Sequence, residues 1–118
     1  MTIQEFVKYL FEIEVTAHIA HLQTKSYAQH VALNTLYDDI VDLRDRFIES
    51  YQGKYGIISS YEKTININEG KNMITYLREV SVKIENYRLT LTDGYLQQIT
   101  DDMLELIYST KYKLENLR

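Results

Sequence analysis

Cysteine, proline and tryptophan do not occur among the 118 residues. Without cysteine the chain has no disulfide, no thiolate nucleophile and no thiolate metal site. Without proline it lacks the one residue that both removes a backbone donor and clashes with the preceding helical turn, so long unbroken helices are permitted. Glycine is scarce, at four residues, and none lies in a phosphate-cradling loop. Gly53-Lys54-Tyr55-Gly56 reads as a helix stop instead. Neither a Gly-x-Ser-x-Gly elbow nor a His-Glu-x-x-His pair is present. No run approaches the ~18 consecutive apolar residues of a membrane span. The opening Met1-Thr2-Ile3-Gln4-Glu5 has neither the basic nor the apolar region of a secretory signal. A cytoplasmic protein with no membrane partner is the expectation.

Excess positive charge is missing too. Thirteen basic against 17 acidic residues leave a net charge of −4. Tight nucleic-acid binding rests largely on neutralising phosphates, so a nucleic-acid partner is disfavoured. What is abundant is tyrosine, at 11 residues, whose amphipathic ring suits both cores and interfaces. At 45% hydrophobic and 25% charged, the composition is that of one globular domain over 1–118.

The apolar residues recur at helical spacing in four stretches. The first opens at a capping box, Thr2-x-x-Glu5, and carries Ile3, Phe6, Leu10, Ile13, Ala17 and Ala20. Phe11, Val15, Ile19 and Leu22 add a second apolar face to it, best covered by another subunit. The second opens at Ser26-x-x-Gln29, carries Leu33, Leu36, Ile40, Leu43, Phe47 and Tyr51, and is expected to stop at Gly53 and Gly56. Residues 57–68 have no period and read as a long connection. The third is expected to begin near Asn66-x-x-Glu69 and carries Met73, Leu77, Val80, Ile84 and Tyr87. After the turn Thr90-Leu91-Thr92-Asp93, the fourth carries Leu96, Ile99, Met103, Leu106, Ile107, Tyr112 and Leu114. The pattern predicts an all-α, antiparallel four-helix bundle, two helix hairpins joined by one long connection.

All three histidines lie between positions 18 and 30. His18 and His21 share one side of the first helix, with Glu14 a turn earlier. His30 lies in the first turn of the second helix, so the hairpin brings it to His21. Neutral imidazoles near carboxylates suit iron or zinc. Along the second helix Asn34, Asp38, Asp45 and Glu49 stay within roughly 100° of His30, but Asp45 lies about 22 Å further on. One chain cannot place both on one ion, whereas two copies of this helix packed antiparallel about a twofold axis can. Asp38, Asp39 and Asp42 read as a solvated face.

Three segments carry a resemblance to a known family. Val15-Thr16-Ala17-His18-Ile19-Ala20-His21-Leu22-Gln23 is similar to the end of the first helix of the Dps branch of the ferritin-like superfamily. Leu36-Tyr37-Asp38-Asp39 through Asp45 and Glu49 resembles its second helix, and the His30-to-Asp45 spacing agrees with that family. Tyr112-Lys113-Leu114-Glu115-Asn116-Leu117 resembles its closing segment more weakly. The resemblance implies a ferritin-like bundle that binds, and oxidises or sequesters, Fe(II) between twofold-related subunits, with Zn(II) the second choice of metal. The implied ligands are His21 and His30 of one subunit with Asp45 and Glu49 of the other. His18 has the family's spacing to His30 and is the alternative ligand from the first helix. Asn34 stands where the family has an acidic ligand. The lysine-rich DNA-binding tail of that family is missing, and the expected assembly is an even-numbered homo-oligomer, a dimer or larger. The competing expectation is a non-enzymatic helical oligomer without metal that binds a protein or small ligand, with Phe11, Tyr27, Tyr55 and Tyr61 as exposed anchors.

Overall fold

The structure is a computed structural model that describes residues 1–68 and 72–118. It is an all-α bundle of four helices, α1 (Ile3–Gln23), α2 (Tyr27–Tyr55), α3 (Met73–Arg88) and α4 (Gly94–Asn116). Both expected caps at the first hairpin form, as Thr2 Oγ1 accepts from the Glu5 amide and Ser26 Oγ from the Gln29 amide. The expected stop at Gly53 does not. α2 runs through Gly53 to Tyr55, and Gly56, with φ +94°, ends it. A left-handed backbone there suits only a residue without Cβ.

The third helix also starts later than its pattern suggests. Asn72, not Asn66, is its N-cap, with Oδ1 accepting from the Thr75 amide at 2.8 Å; Glu69 lies outside the described residues. Asn66 and Asn68 belong instead to the crossover between α2 and α3. Their amides donate to Glu12 Oε2 (2.7 Å) and Thr16 Oγ1 (3.2 Å) on α1. The crossover therefore runs back along α1 from the end of α2 to the end where α1 turns into α2. Glu12 is buried, and a buried carboxylate is tolerable only with such a donor.

α1 packs on α2 and α3, and α4 packs on α2 and α3. The chain thus forms two antiparallel hairpins with α2 and α3 pointing the same way. The core is the one expected from the helical stripes: Phe6, Leu10, Ile13 and Ala17 from α1, Leu33, Leu36, Ile40 and Phe47 from α2, Leu77, Val80 and Ile84 from α3, and Leu96, Ile99, Met103 and Ile107 from α4. Tyr112 departs from its stripe and is exposed, while Thr110 turns inward and satisfies its hydroxyl on the Leu106 carbonyl at 2.8 Å. At the end away from the α1–α2 turn, the rings of Phe6 and Tyr87 stack at 4.1 Å and Phe47 tilts against Phe6 at 5.0 Å. There Tyr55 donates to the Asp93 carboxylate, joining α2 to the start of α4. That carboxylate raises the Tyr55 phenol above its ordinary pKa. No helix is long and apolar enough to cross a membrane among the described residues.

Two measurements test this packing. Glu12→Ala removes the acceptor for Asn66, so that amide should exchange with solvent at least tenfold faster while core amides stay protected. An unchanged exchange rate would detach the crossover from Glu12. Burial, with Tyr51 and Tyr55 adding to it, pushes the Tyr87 phenol from 10.0 to about 12. The fold binds this proton more tightly than the unfolded chain does. Its contribution is thus complete below pH 10 and lost as pH rises towards about 12. Tyr87→Phe should flatten the loss of stability in that window, read by urea unfolding across pH.

Candidate functional site

The candidate site begins at the turn between α1 and α2, residues 24–26. The Thr24 amide closes α1 on the Ala20 carbonyl, and Thr24 Oγ1 donates to Gln29 Oε1 at 2.9 Å while accepting from the Ser26 amide at 3.2 Å. So short a turn, tied on both sides, brings His21 and His30 together across the hairpin. Each ring reaches the other's backbone. His21 Nδ1 donates to the His30 carbonyl at 2.6 Å, and His30 Nδ1 donates to the His21 carbonyl at 2.8 Å.

These two bonds determine the chemistry of the rings. A carbonyl oxygen only accepts, so both Nδ1 atoms carry hydrogen, and in a neutral imidazole Nε2 then holds the lone pair. An Nδ1–H held on a backbone carbonyl is the usual support of a metal-binding histidine, because it fixes both tautomer and ring orientation. The two rings stack with centroids 3.5 Å apart and planes 21° from parallel. A metal ion sits in the plane of its imidazole, at roughly 2.0–2.1 Å from the nitrogen. Nearly parallel planes 3.5 Å apart cannot both meet one ion in this way. In this arrangement the pair can serve two neighbouring ions, or one ring alone can bind.

His18 sits edge-on to His21, with centroids 5.9 Å apart and planes at 68°, an orientation in which two imidazoles can turn towards one point. It is exposed and stacks on Tyr37 at 4.0 Å, with planes 5° apart. Tyr37 in turn donates to Asn34 Oδ1 at 2.6 Å, and Asn34 Nδ2 donates to Asp38 Oδ2 at 3.2 Å. Asn34 therefore spends its side-chain oxygen on a tyrosine hydroxyl, leaving it a poor ligand.

The carboxylates lie elsewhere. Asp45 and Glu49 are exposed towards the other end of α2, and the structure does not bring them to the histidines of the same chain. Among the described residues no three histidine, aspartate or glutamate side chains converge on a possible ion. Asp38, Asp39 and Asp42 are exposed, as expected; Asp39 and Asp42 line a groove shared with Asp102 and Glu105 of α4. Phe11, Tyr27, Tyr55 and Tyr61 are exposed as well.

Two participants escaped the sequence reading. Arg44 is only 7% exposed and pairs with Glu14 on α1 and with Asp45, Nε to Oδ1 at 3.2 Å. Tyr37 is the platform for His18. A signal for Arg44 did exist: it falls four residues after Ile40 and three before Phe47, within the buried stripe of α2. An arginine there requires an acidic partner on α1, and Glu14 is the one opposite.

The histidine lock predicts a spectroscopic signature. In nitrogen-15 NMR at pH 8, both His21 and His30 should be Nδ1–H tautomers, the form less common in free histidine. Finding either ring as Nε2–H would remove the lock.

Residues 21–114 match the model of a family of unknown function, DUF5856. That span includes His21, His30, Arg44, Asp45 and Glu49 but leaves out His18 and Glu14. An uncharacterized 14.6 kDa protein of the mobD-ri intergenic region of enterobacteria phage T4 is 27% identical over 113 residues, covering 93% of this chain and 85% of that protein. No solved structure matches the chain. With most of its length matched, the chain belongs to the family of unknown function DUF5856.

Proposed function

We propose that this protein binds a divalent metal, Fe(II) first and Zn(II) second, at sites completed between two copies of the chain. The observation that carries the reading is the reciprocal lock of His21 and His30, in which both Nδ1–H groups are spent on backbone carbonyls. This arrangement leaves each Nε2 as the one basic atom of its ring. Asp45 and Glu49 of a second copy would supply the oxygen ligands. An axis crossing α2 near Tyr37, about midway along the ~22 Å from His30 to Asp45, pairs the two ends antiparallel. The apolar side chains around that face, with Leu22 69% and Val31 45% exposed, suit burial in such a pairing.

The donor set of imidazole and carboxylate fits a borderline ion such as Fe(II) or Zn(II). With iron as substrate the chemistry is oxidation or sequestration, and an external oxidant takes the electrons. The chain's own residues hold the ion and shield it. The connectivity agrees with the Dps-like resemblance, since a single long crossover between hairpins is that of ferritin-like bundles.

A second reading is favoured by one specific observation. The Asn34 oxygen, at the position of an acidic ligand, is already taken by the Tyr37 hydroxyl, which suits a metal-free helical oligomer that presents exposed apolar side chains such as Leu22, Tyr27 and Val31 to a protein partner.

The two readings separate in native mass spectrometry with and without anaerobic Fe(II). The metal reading expects an even-numbered oligomer that takes up one or two irons per chain. His30→Asn offers the sharper control, because its amide can keep the donor to the His21 carbonyl but has no Nε2. The variant should remain folded and lose iron. Undiminished uptake by the variant would remove His30 from the site, whereas a parent oligomer that takes up no iron would leave the helical interaction module as the function.

A further inference from the structure

We infer that Arg44 is a positioning residue for Asp45, a role that rests on the intersubunit metal reading above. Burying a guanidinium is costly unless its charge and donors are matched. Arg44 is matched from three directions. Nη1 is paired with Glu14 of α1, Nε holds Asp45 Oδ1 at 3.2 Å, and the Phe11 ring lies 4.0 Å from the guanidinium carbon. Two of these three contacts come from α1, so the guanidinium is anchored to a different helix from the one that carries it. It is a fixed donor with little rotamer freedom left.

Asp45 differs in every respect. Its side chain is 56% exposed, and Arg44 is its charged partner. Neighbouring residues on a helix point about 100° apart, so a carboxylate next to a buried arginine would ordinarily splay into solvent. The Arg44 bond holds one oxygen, Oδ1, and leaves Oδ2 to accept from elsewhere. A carboxylate held by one oxygen against a buried cation is prearranged to donate the other, as in the outer shells of metal sites generally. Glu49, one turn further on, has no such anchor in the contacts described and is free to follow the ion. Within the pair, then, Asp45 is the rigid ligand and Arg44 the reason for its rigidity.

Co(II), added anaerobically and followed by its visible absorption, is the probe. Arg44→Met is paired with Glu14→Gln so that the Glu14 carboxylate is not left unpaired against α2, since replacing both members of a buried pair is better tolerated than removing one. The double variant should melt as the parent does, keep the same oligomer in native mass spectrometry, and bind Co(II) 10–100-fold more weakly. Adding Asp45→Asn to it should weaken binding by much less than Asp45→Asn weakens the parent, since the two residues act as a unit. A parent protein that is folded and oligomeric yet ignores Co(II) removes the metal reading and this role together. A parent that binds Co(II), beside a double variant that binds it equally well or more tightly, overturns the role of Arg44 alone. Loss of binding together with loss of the oligomer also overturns it, by assigning Arg44 to the contact between copies.

Discussion

The length of α2 constrains everything after it. Its 29 residues rise about 43 Å, the same as the 43 Å long dimension of the molecule. The chain thus leaves α2 at one extremity. Its next helix packs on the first hairpin by starting from the other extremity, and the crossover must travel the whole bundle. An extended chain covers roughly 3.3–3.6 Å per residue, so a connection of this length can span the 43 Å of the molecule. Residues 57–68 have no regular structure, so their backbone amides need partners outside a helix or sheet ladder. Glu12 and Thr16 supply two from α1, which explains why two polar side chains lie buried on a helix face that otherwise reads as core.

The same economy governs the hairpin turn. A connection this short leaves the last turn of α1 and the first turn of α2 facing each other with unpaired carbonyls and amides. The His30 ring satisfies the His21 carbonyl, one of the orphans at the end of α1, and the His21 ring returns a second donor to the His30 carbonyl. Structure and chemistry coincide in that bond: the hydrogen that ties the hairpin is the one whose placement leaves Nε2 free. Stacking then prevents the two rings from meeting any one ion in their planes. Arg44 repeats the pattern further along the hairpin, where one buried cation joins α1 to α2 and also orients the side chain beside it.

Much of the fold was legible in the residues. Six-residue apolar stripes in α1 and α2, the capping boxes at Thr2 and Ser26, and the aperiodic run after Gly56 specify helices, starts and connection by local rules alone. Where local rules misled, the cause was tertiary. Asn66 has the look of a cap, but its amide is drawn to Glu12, fifty-four positions away. Gly53 costs about 1 kcal/mol against alanine in a helix interior, a local preference that tertiary context overrides, and α2 runs through it to Tyr55. Tyr112 has the spacing of a core residue, yet Thr110 takes the inward position.

For the site, the sequence by itself determined the membership: which imidazoles share the hairpin end, and that Asp45 and Glu49 are too far along α2 to join them in one chain. Helical rise and a short turn suffice for that. Only the tertiary structure decided the roles. Which ring nitrogen carries the hydrogen, that two rings stack while a third leans on Tyr37, that Asn34 is already engaged and that Arg44 is buried all depend on contacts between helices. Spacing along one helix contains no information about the register of the next, and a hydrogen bond across that register is what turns a histidine into either a strut or a ligand.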